Sequence, residues 1–322
     1  MRRFISLLVG NVLVLVSLVM LSACSTVNVV PDPAFRSCLN GLLGQAPDDP
    51  LTASQLRHMR VDLKCESMGI VSLEGAQYLT GVTSIYMTFN PISDLTPLAH
   101  LTKLHELILD YSEISDLSPL AGLYGLTMLE VSVNQISDLT PLSGLTNLQS
   151  LDISPNLVSD LTPLTGLTNL NYLDISSNKV SDLTPLTGLT NIKSLDISNN
   201  QISDLAALKT MTKLSWLSLD HNHIRDLSPV AQLPAAVSRQ SGFLIGDSQT
   251  LTDQATANIP HALPSVTGLR SLTWSVSEGD AIISDGMVTY TAPGTVVLNF
   301  TQPELADAGN GDFAGTVTVT VT

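Results

Sequence analysis

The residues whose type and spacing could support chemistry are four carboxylates that recur at one interval. Glu130, Asp152, Asp174 and Asp196 lie 22 residues apart. A row of carboxylates could take Ca²⁺, but all-oxygen calcium sites usually draw their ligands from one converging loop, and we therefore predict no metal. Two interpretations stay open: the row belongs to a binding surface, or its charges only keep one face of a sheet hydrated.

Aromatic side chains, which make up only 4% of the chain, fall on neighbouring positions of the same interval. Large aromatic residues on an exposed face are frequent anchors of protein interfaces, so they indicate a binding face. The alternative is that these aromatic side chains are exposed without binding another molecule. The predicted ligand-binding residues are Tyr86, Phe89, Ile108, Tyr111, Glu130, Asp152, Tyr172, Asp174, Asp196 and Trp216.

Motifs for catalysis are missing from the sequence. It has no Ser-centred nucleophile elbow, no HExxH, no phosphate-binding loop and no Cys–His pairing. His221 and His223 flank Asn222 on variable positions, and we expect a solvated pair rather than metal ligands. The sequence therefore predicts no enzyme activity and no cofactor.

A 22-residue repeat, written seven times from Val82 to Ala235, carries these side chains. A fixed period in the twenties indicates a solenoid. Apolar residues at repeat positions 4 and 6 predict a strand with two inward side chains. The later three-residue spacing of apolar positions predicts a 3₁₀ turn. Thr-Pro-Leu in that stretch fits a turn with Thr as its cap and Pro as its first residue.

Two polar columns accompany the apolar positions. The amides of the Asn column are expected to satisfy buried backbone groups between coils, with part of this left to water where Ser112 replaces Asn. The Asp column is expected to make Asx-type bonds where the chain turns. The Asn column is Asn90, Asn134, Asn156, Asn178, Asn200 and Asn222, and the Asp column is Asp94, Asp116, Asp138, Asp160, Asp182, Asp204 and Asp226.

The spacing LxxLxLxxNxIxDLxPLxxLxx resembles that of the internalin family of bacterial leucine-rich repeat proteins. The resemblance implies an α/β solenoid, a right-handed horseshoe with a parallel β-sheet and 3₁₀ turns. It also implies a small helical N-terminal cap and an all-β, immunoglobulin-like C-terminal domain. Adhesion to a protein of a host or neighbouring cell is the function that it suggests.

The segment before the repeats has the pattern of such a cap. Asp32-Pro33 and Gly44 bound a first helix, and Thr52 to Gln55 has the capping-box spacing for a second. Residues 60–81 match the repeat as a degenerate first coil. Cys38 and Cys65 form an even pair once Cys24 is set aside, and we predict a disulfide between them in an oxidising compartment. The alternative is two free buried thiols.

The N-terminus has the pattern of a secretory signal, with Arg2-Arg3 before an apolar run from Phe4 to Leu21. Its end, Leu-Ser-Ala-Cys, looks like a bacterial lipobox. This resemblance implies cleavage before Cys24, lipid on Cys24 and attachment to a membrane. The alternative is an uncleaved anchor helix. Because Ser25 follows the cysteine, the predicted location is the bacterial cell envelope, at the outer membrane or cell surface.

The stretch after the repeats is rich in Thr, Val, Ser and Gly. Runs at 272–277, 282–291, 295–301 and 315–321 alternate like the strands of a sandwich, with Trp274 as the expected core aromatic, joined by Phe300 and Phe313. The predicted divisions are a signal peptide (1–23), a tether (24–31), a helical cap (32–59), repeats (60–235) and an immunoglobulin-like sandwich (236–322). No sorting signal follows, so attachment is expected through Cys24.

The net charge of −15 argues against binding the phosphate backbone of nucleic acid. We therefore predict a surface lipoprotein that binds a host or bacterial surface protein with the concave face of its sheet. One alternative is a structural envelope protein that faces the periplasm. A weaker one is a glycan-binding module that stacks sugars on Tyr86, Tyr111, Tyr172 and Trp216.

Overall fold

A computed structural model of the protein describes residues 27–219, 221–224, 229–230, 249–255, 260–262, 273–284, 287–302 and 313–321. The predicted signal peptide and the predicted lipidation site, Cys24, lie outside these ranges, as do Asp220 and Asp226 of the last repeat. Within the ranges, no helix has the length and apolar character needed to cross a membrane.

Eight short parallel strands form one sheet in the order of the chain. Each strand continues the register of the one before it, so that Ile85, Leu107 and Leu129 are paired in sequence. Residues 60–81 supply the first strand, as the degenerate coil predicts. The strands are β1 (Leu63–Lys64), β2 (Ser84–Tyr86), β3 (Glu106–Ile108), β4 (Met128–Glu130), β5 (Ser150–Asp152), β6 (Tyr172–Asp174), β7 (Ser194–Asp196) and β8 (Trp216–Ser218).

Short 3₁₀ helices form the opposite side of each coil, at Ala76–Tyr78, Thr96–Leu98, Ser118–Leu120, Thr140–Leu142, Thr162–Leu164, Thr184–Leu186 and Ala206–Thr210. The prediction that Thr caps these turns is wrong. Thr162 is the first helical residue, and its N–H donates to Oδ1 of Asp160 at 2.8 Å. Pro163 is therefore the second helical residue, not the first as predicted. The Asp column binds the first N–H of the turn, because its carboxylate reaches the N–H two residues later in an Asx turn.

The Asn column connects neighbouring coils through buried amides. Nδ2 of Asn178 donates to the carbonyls of Ile153 in the preceding coil (3.1 Å) and Ile175 in its own (3.2 Å). Its Oδ1 accepts from the N–H of Val158 at 2.9 Å. Each amide thus satisfies backbone groups that the coil's turn would leave unpaired inside the protein.

The core is a stack of aliphatic columns. In the repeat that begins at Leu170, the side chains of Leu173, Ile175, Leu186 and Leu189 are fully buried. Full burial of one such side chain contributes about 1.5–3 kcal/mol. Because a single coil cannot bury its apolar face alone, this gain depends on the coils stacking.

The cap consists of helix α1 (Pro33–Leu43), which ends at Gly44 with φ 70°, and helix α2 (Ala53–His58). Asp32 Oδ1 caps α1 through the N–H of Phe35 at 2.9 Å. A disulfide joins Cys38 in α1 to Cys65, with 5.8 Å between their Cα atoms. The cap is therefore covalently attached to the first coil.

The predicted tether extends too far along the chain. Val30 is fully buried, and the N–H of Val29 donates to the carbonyl of Leu51 at 2.9 Å. The side chain of Asn28 also accepts from the N–H of Leu51. Residues 28–30 belong to the cap because an apolar Val-Val pair gains more from packing against the helices than from exposure.

Among the described residues after the repeats, seven further strands form two all-β sheets. They are β9 (Gln249–Ala255), β10 (Pro260–Ala262), β11 (Thr273–Glu278), β12 (Ala281–Ser284), β13 (Met287–Tyr290), β14 (Gly294–Gln302) and β15 (Phe313–Val321). One sheet has the order β10-β13-β12 and the other β11-β14-β15-β9, with β15 and β9 parallel. The predicted strand at 282–291 is wrong in extent: it contains parts of two antiparallel strands paired at Ser284 and Met287. The core role predicted for the Trp274, Phe300 and Phe313 side chains lies outside the described residues.

Candidate functional site

The concave face of the eight-stranded sheet presents the first and third residues of each strand, because the middle residue points into the core. Cα pairing between successive strands holds these residues in two columns. The first column is Ser84, Glu106, Met128, Ser150, Tyr172, Ser194 and Trp216. The second is Tyr86, Ile108, Glu130, Asp152, Asp174, Asp196 and Ser218. The structure thus places the predicted strand residues on one surface.

Phe89 and Tyr111 form a stacked aromatic pair at the cap end of this face. Their ring centroids are 4.2 Å apart and the ring planes differ by 18°. Phe89 keeps 55% of its surface exposed and Tyr111 keeps 50%. Offset stacking contributes about 0.5–1.5 kcal/mol beyond the burial of area. The pair therefore holds two large rings in place while leaving them open to solvent.

Both residues of the aromatic pair have left-handed backbone conformations, with φ of 58° at Phe89 and 54° at Tyr111. Bulky side chains rarely adopt this conformation. It recurs at the same repeat position in Ser67, Val133, Ser177, Asn199 and His221, but not in Pro155. Sequence reasoning missed this feature because none of the residues is glycine, so no residue type marks the turn.

Tyr86 lies two strands from the cap in a network of charged side chains. Its hydroxyl hydrogen-bonds to Oε2 of Glu106, and Nζ of Lys64 lies 5.4 Å from the ring centroid. The hydrogen bond to Glu106 is the largest cause of a raised Tyr86 pKa, followed by burial. The site residues predicted from the sequence did not include Glu106. The repeat register could have identified it, because it places Glu106 beside Ser84 on the adjacent strand, close to Tyr86.

The four carboxylates at Glu130, Asp152, Asp174 and Asp196 form an acidic column on adjacent strands. Burial raises the pKa of Asp152 to about 6 and also raises the pKa of Glu130 and Asp174. Oδ1 of Asp152 accepts from both the N–H and the Oγ–H of Ser154, at 2.9 and 2.7 Å. Asp152, Asp174 and Asp196 therefore do more than hydrate the face, since each also accepts the N–H of the residue two positions later, where its strand ends.

Comparisons with known proteins identify the family. A family model for leucine-rich repeats matches residues 124–166 and 168–210. The structure of internalin C2 from Listeria monocytogenes superimposes with a TM-score of 0.60 at 35% sequence identity, covering 65% of this chain and 94% of that one. The chain belongs to the internalin-like leucine-rich repeat proteins.

Two other solved structures are similar, one as a further internalin and one in its fold alone. The internalin InlF of Listeria monocytogenes matches this internalin-like chain at 33% identity and a TM-score of 0.63, over 65% of this chain and 63% of InlF. This chain thus spans less than two thirds of InlF. A leucine-rich repeat protein of Leptospira interrogans shares the fold at 20% identity and a TM-score of 0.51, over 62% of this chain and 56% of that one. No curated protein sequence matches the chain.

The aromatic residues at the far end of the concave face of this internalin-like protein do not form a second pair. Tyr172 and Trp216 belong to the same column, but Ser194 lies between them on β7. Tyr172 is 36% exposed and Trp216 is half-buried. Burial raises the pKa of Tyr172 further above its usual range. The cap end, with its stacked rings, is the more organised part of the surface.

His221 and His223 lie at the last described coil of the internalin-like solenoid, and the intervening Asn222 side chain is buried. Across the described ranges, no three His, Cys, Asp or Glu side chains are grouped to hold a metal ion. The face as a whole offers exposed rings beside carboxylates, an arrangement suited to contact with another macromolecule.

Proposed function

We propose that this protein binds another protein through the concave face of its solenoid, with the Phe89–Tyr111 pair as the principal anchor. The observation that carries the proposal is the stacking of two half-exposed aromatic rings, 4.2 Å apart, on strained backbone. Aromatic residues dominate the binding energy of many protein interfaces. The left-handed backbone recurs along the repeats, so the repeat itself holds the two side chains in this position.

The anchor is preorganised by the coils beneath it. The N–H of Phe89 donates to the carbonyl of Asp110 in the next coil at 3.0 Å, and the N–H of Tyr111 donates to Ser132 at 2.9 Å. These bonds fix the backbone of both rings before any partner arrives. A partner would therefore order few side chains on binding, and the entropic cost would be small.

The proposal includes a location. We infer a lipid anchor at Cys24, from the lipobox pattern at the N-terminus, and a non-catalytic role at the bacterial envelope or cell surface. More than one acyl chain is needed for stable attachment to a bilayer, and a lipidated N-terminal cysteine meets this need. The cap and solenoid would then present the concave face outside the membrane.

Partner capture with a matched pair of variants tests the binding site. Phe89→Ser with Tyr111→Ser replaces both rings by the residue that Ser67 and Ser177 show to be compatible with the left-handed turn. Tyr124→Thr is the control. Tyr124 is 62% exposed away from the concave face, and Thr occupies the same position in most other repeats.

We expect a protein from host-cell surface or bacterial envelope extracts to be retained by the wild type and by Y124T but lost by the double variant. Truncation of an interface hot spot costs ~2 kcal/mol, or roughly thirtyfold in affinity. Equal retention by all three chains would exclude the aromatic pair as the site. The origin of the captured protein distinguishes adhesion from a structural role within the envelope.

A further inference from the structure

A second candidate site lies at the edge of the sheet where the strands begin. A shallow groove there has a volume of about 250 Å³ and is lined by Gln149, Asn169, Asn171, Asn191, Lys193 and Lys213. We call it the lateral groove. Its lining is four amides and two ammonium groups, with no aromatic or acidic side chain. It is separate from the concave face, to which none of the six residues belongs.

The lateral groove interrupts the acidic character of the repeats. Its side chains come from repeat positions 2 and 22, and no repeat from Val82 onwards has Asp or Glu at either position. The seven repeats contain 15 acidic and 6 basic residues, and three of the basic ones, Lys103, Lys193 and Lys213, occupy these two positions. Positive charge is thus concentrated along one edge of a solenoid that is otherwise negatively charged.

Backbone hydrogen bonds fix the position of the lining. The N–H of Asn171 donates to the carbonyl of Gln149, and the N–H of Lys193 donates to the carbonyl of Asn171, both at 2.8 Å. The N–H groups of Gln149, Asn171 and Lys193 are thus already paired, so at these positions a ligand in the groove would meet side chains. Their spacing is set by adjacent coils, at ~4.8 Å per strand.

The lining makes some hydrogen bonds within the protein, and the polar atoms that stay available to a ligand include both donors and acceptors. Nδ2 of Asn169 and of Asn191 donates to backbone carbonyls one coil earlier, both at 2.8 Å. Nζ of Lys213 donates to Oδ1 of Asn191 at 2.6 Å, which uses one of its three N–H groups. In the described part of the chain, neither Lys193 nor Lys213 forms an ion pair with a carboxylate.

We propose that the lateral groove binds a carbohydrate that carries a carboxylate or sulfate group. Side-chain amides match sugar hydroxyls, which also donate and accept, and the two ammonium groups match the anion. The groove is slightly smaller than the 300–1,000 Å³ typical of sites for drug-sized ligands, so it accommodates a short stretch of sugar. A nucleic acid is disfavoured because its closely spaced phosphates would face the net charge of −15.

Direct binding to immobilised full-length chain tests this proposal with four probes. A heparin-derived oligosaccharide carries sulfate, a hyaluronan oligosaccharide carries carboxylate only, a dextran oligosaccharide is neutral, and a single-stranded oligonucleotide carries phosphate. The variant Lys193→Gln with Lys213→Gln removes both charges and keeps a hydrogen-bond donor. The control, Lys179→Gln with Lys209→Gln, makes the same change in net charge at exposed lysines outside the groove.

We expect at least one anionic oligosaccharide to bind, with affinity at least about tenfold weaker in the K193Q/K213Q variant and unchanged in the control. Binding of the hyaluronan probe would identify carboxylate as sufficient, and binding of the heparin probe alone would identify sulfate. No binding of either, equal loss in both variants, or equal binding of dextran or oligonucleotide would overturn the proposal. The F89S/Y111S variant should keep this binding, which separates the groove from the concave face.

Discussion

Asp152 and Asp174 occupy paired positions on adjacent strands of the concave sheet, and burial raises the pKa of both carboxyl groups. Each accepts a hydrogen bond from the serine N–H two residues later, at 2.9 Å. Each carboxylate thus stabilises the backbone through a hydrogen bond, but burial of its charge lowers the stability of the fold. A substitution that removes the charge and keeps the hydrogen bond should show how large that loss of stability is.

The variant Asp152→Asn tests the stability cost of the buried charge. The folded pKa of Asp152 is about 6, above the ~3.9 of an unfolded Asp. As the pH rises between these values, the unfolded chain loses its proton first, so the stability contributed by this carboxyl falls and stays low at higher pH. After allowance for solvent screening, D152N should be more stable than the wild type at neutral pH by about 1–2 kcal/mol.

Denaturant unfolding across the pH range measures this difference, which should shrink towards zero near pH 4. Asp138→Asn is the control. Its hydrogen bonds to Thr140 lower the pKa of the Asp138 carboxyl, so D138N should give no gain at neutral pH. A gain for D152N that does not depend on pH would contradict the electrostatic origin.

Ser112→Asn should stabilise the solenoid. Ser112 replaces the column Asn, and its Oγ is buried with no hydrogen-bond partner in the structure. In other coils the Asn Oδ1 accepts from a buried N–H of the preceding coil, as Asn134 does from Ile114 at 2.9 Å. Completion of these bonds should raise the free energy of unfolding by about 1 kcal/mol.

The reverse substitution, Asn178→Ser, is the natural counterpart and should lower stability by about 1–3 kcal/mol because it leaves buried backbone groups unpaired. Both are measured by urea unfolding of the full chain. If S112N were destabilising while N178S behaved as expected, the second repeat would have to lack room for the amide.

Val133→Asn should also be stabilising. Val133 has φ of 52°, and β-branched residues fit the left-handed region poorly, whereas Asn tolerates it. Relief of this strain is worth about 1 kcal/mol. Thermal unfolding compares V133N with Ser177→Asn, where the residue replaced is not β-branched and the gain should be smaller. Equal changes in the two variants would show that the backbone at Val133 is unstrained.

Reduction of the Cys38–Cys65 disulfide should weaken the cap end of the solenoid selectively. The bridge closes a loop over a sequence separation of 27 residues, for which the chain-entropy model gives about 3–4 kcal/mol. In a repeat protein each coil is stabilised by its neighbours, so hydrogen exchange should speed up first in β1 and β2. The coils around β6 should change least. Uniform acceleration along the sheet would instead mean that the solenoid unfolds as a single unit.

The sequence was sufficient to predict the register of the sheet, because a strict period forces equivalent residues into columns. Residues Asp152 and Asp174 had to be neighbours once both were third in a strand. The same reasoning failed for backbone detail. Thr162 does not cap its turn, because it is itself the first helical residue and its N–H donates to the carboxylate of Asp160.

The stacking of Phe89 on Tyr111 could be anticipated only in part. The period places the two residues in adjacent coils, but the left-handed backbone that brings the rings face to face has no glycine to reveal it. The lateral groove was missed for a different reason. Its side chains lie on either side of repeat position 1, as Asn169 and Asn171 do, and they belong to successive coils whose side chains meet only because the coils stack.

The near identity of two neighbouring repeats, Leu148–Asn169 and Leu170–Asn191, gives the molecule an adjustable length. The strands β5 and β6 that they contain offer equivalent surfaces to the coils on either side. Loss or duplication of one such unit would preserve every coil-to-coil contact type while moving the far end of the rod by one step of ~4.8 Å. The length of the solenoid can therefore change by whole repeats while the Phe89–Tyr111 pair stays the same.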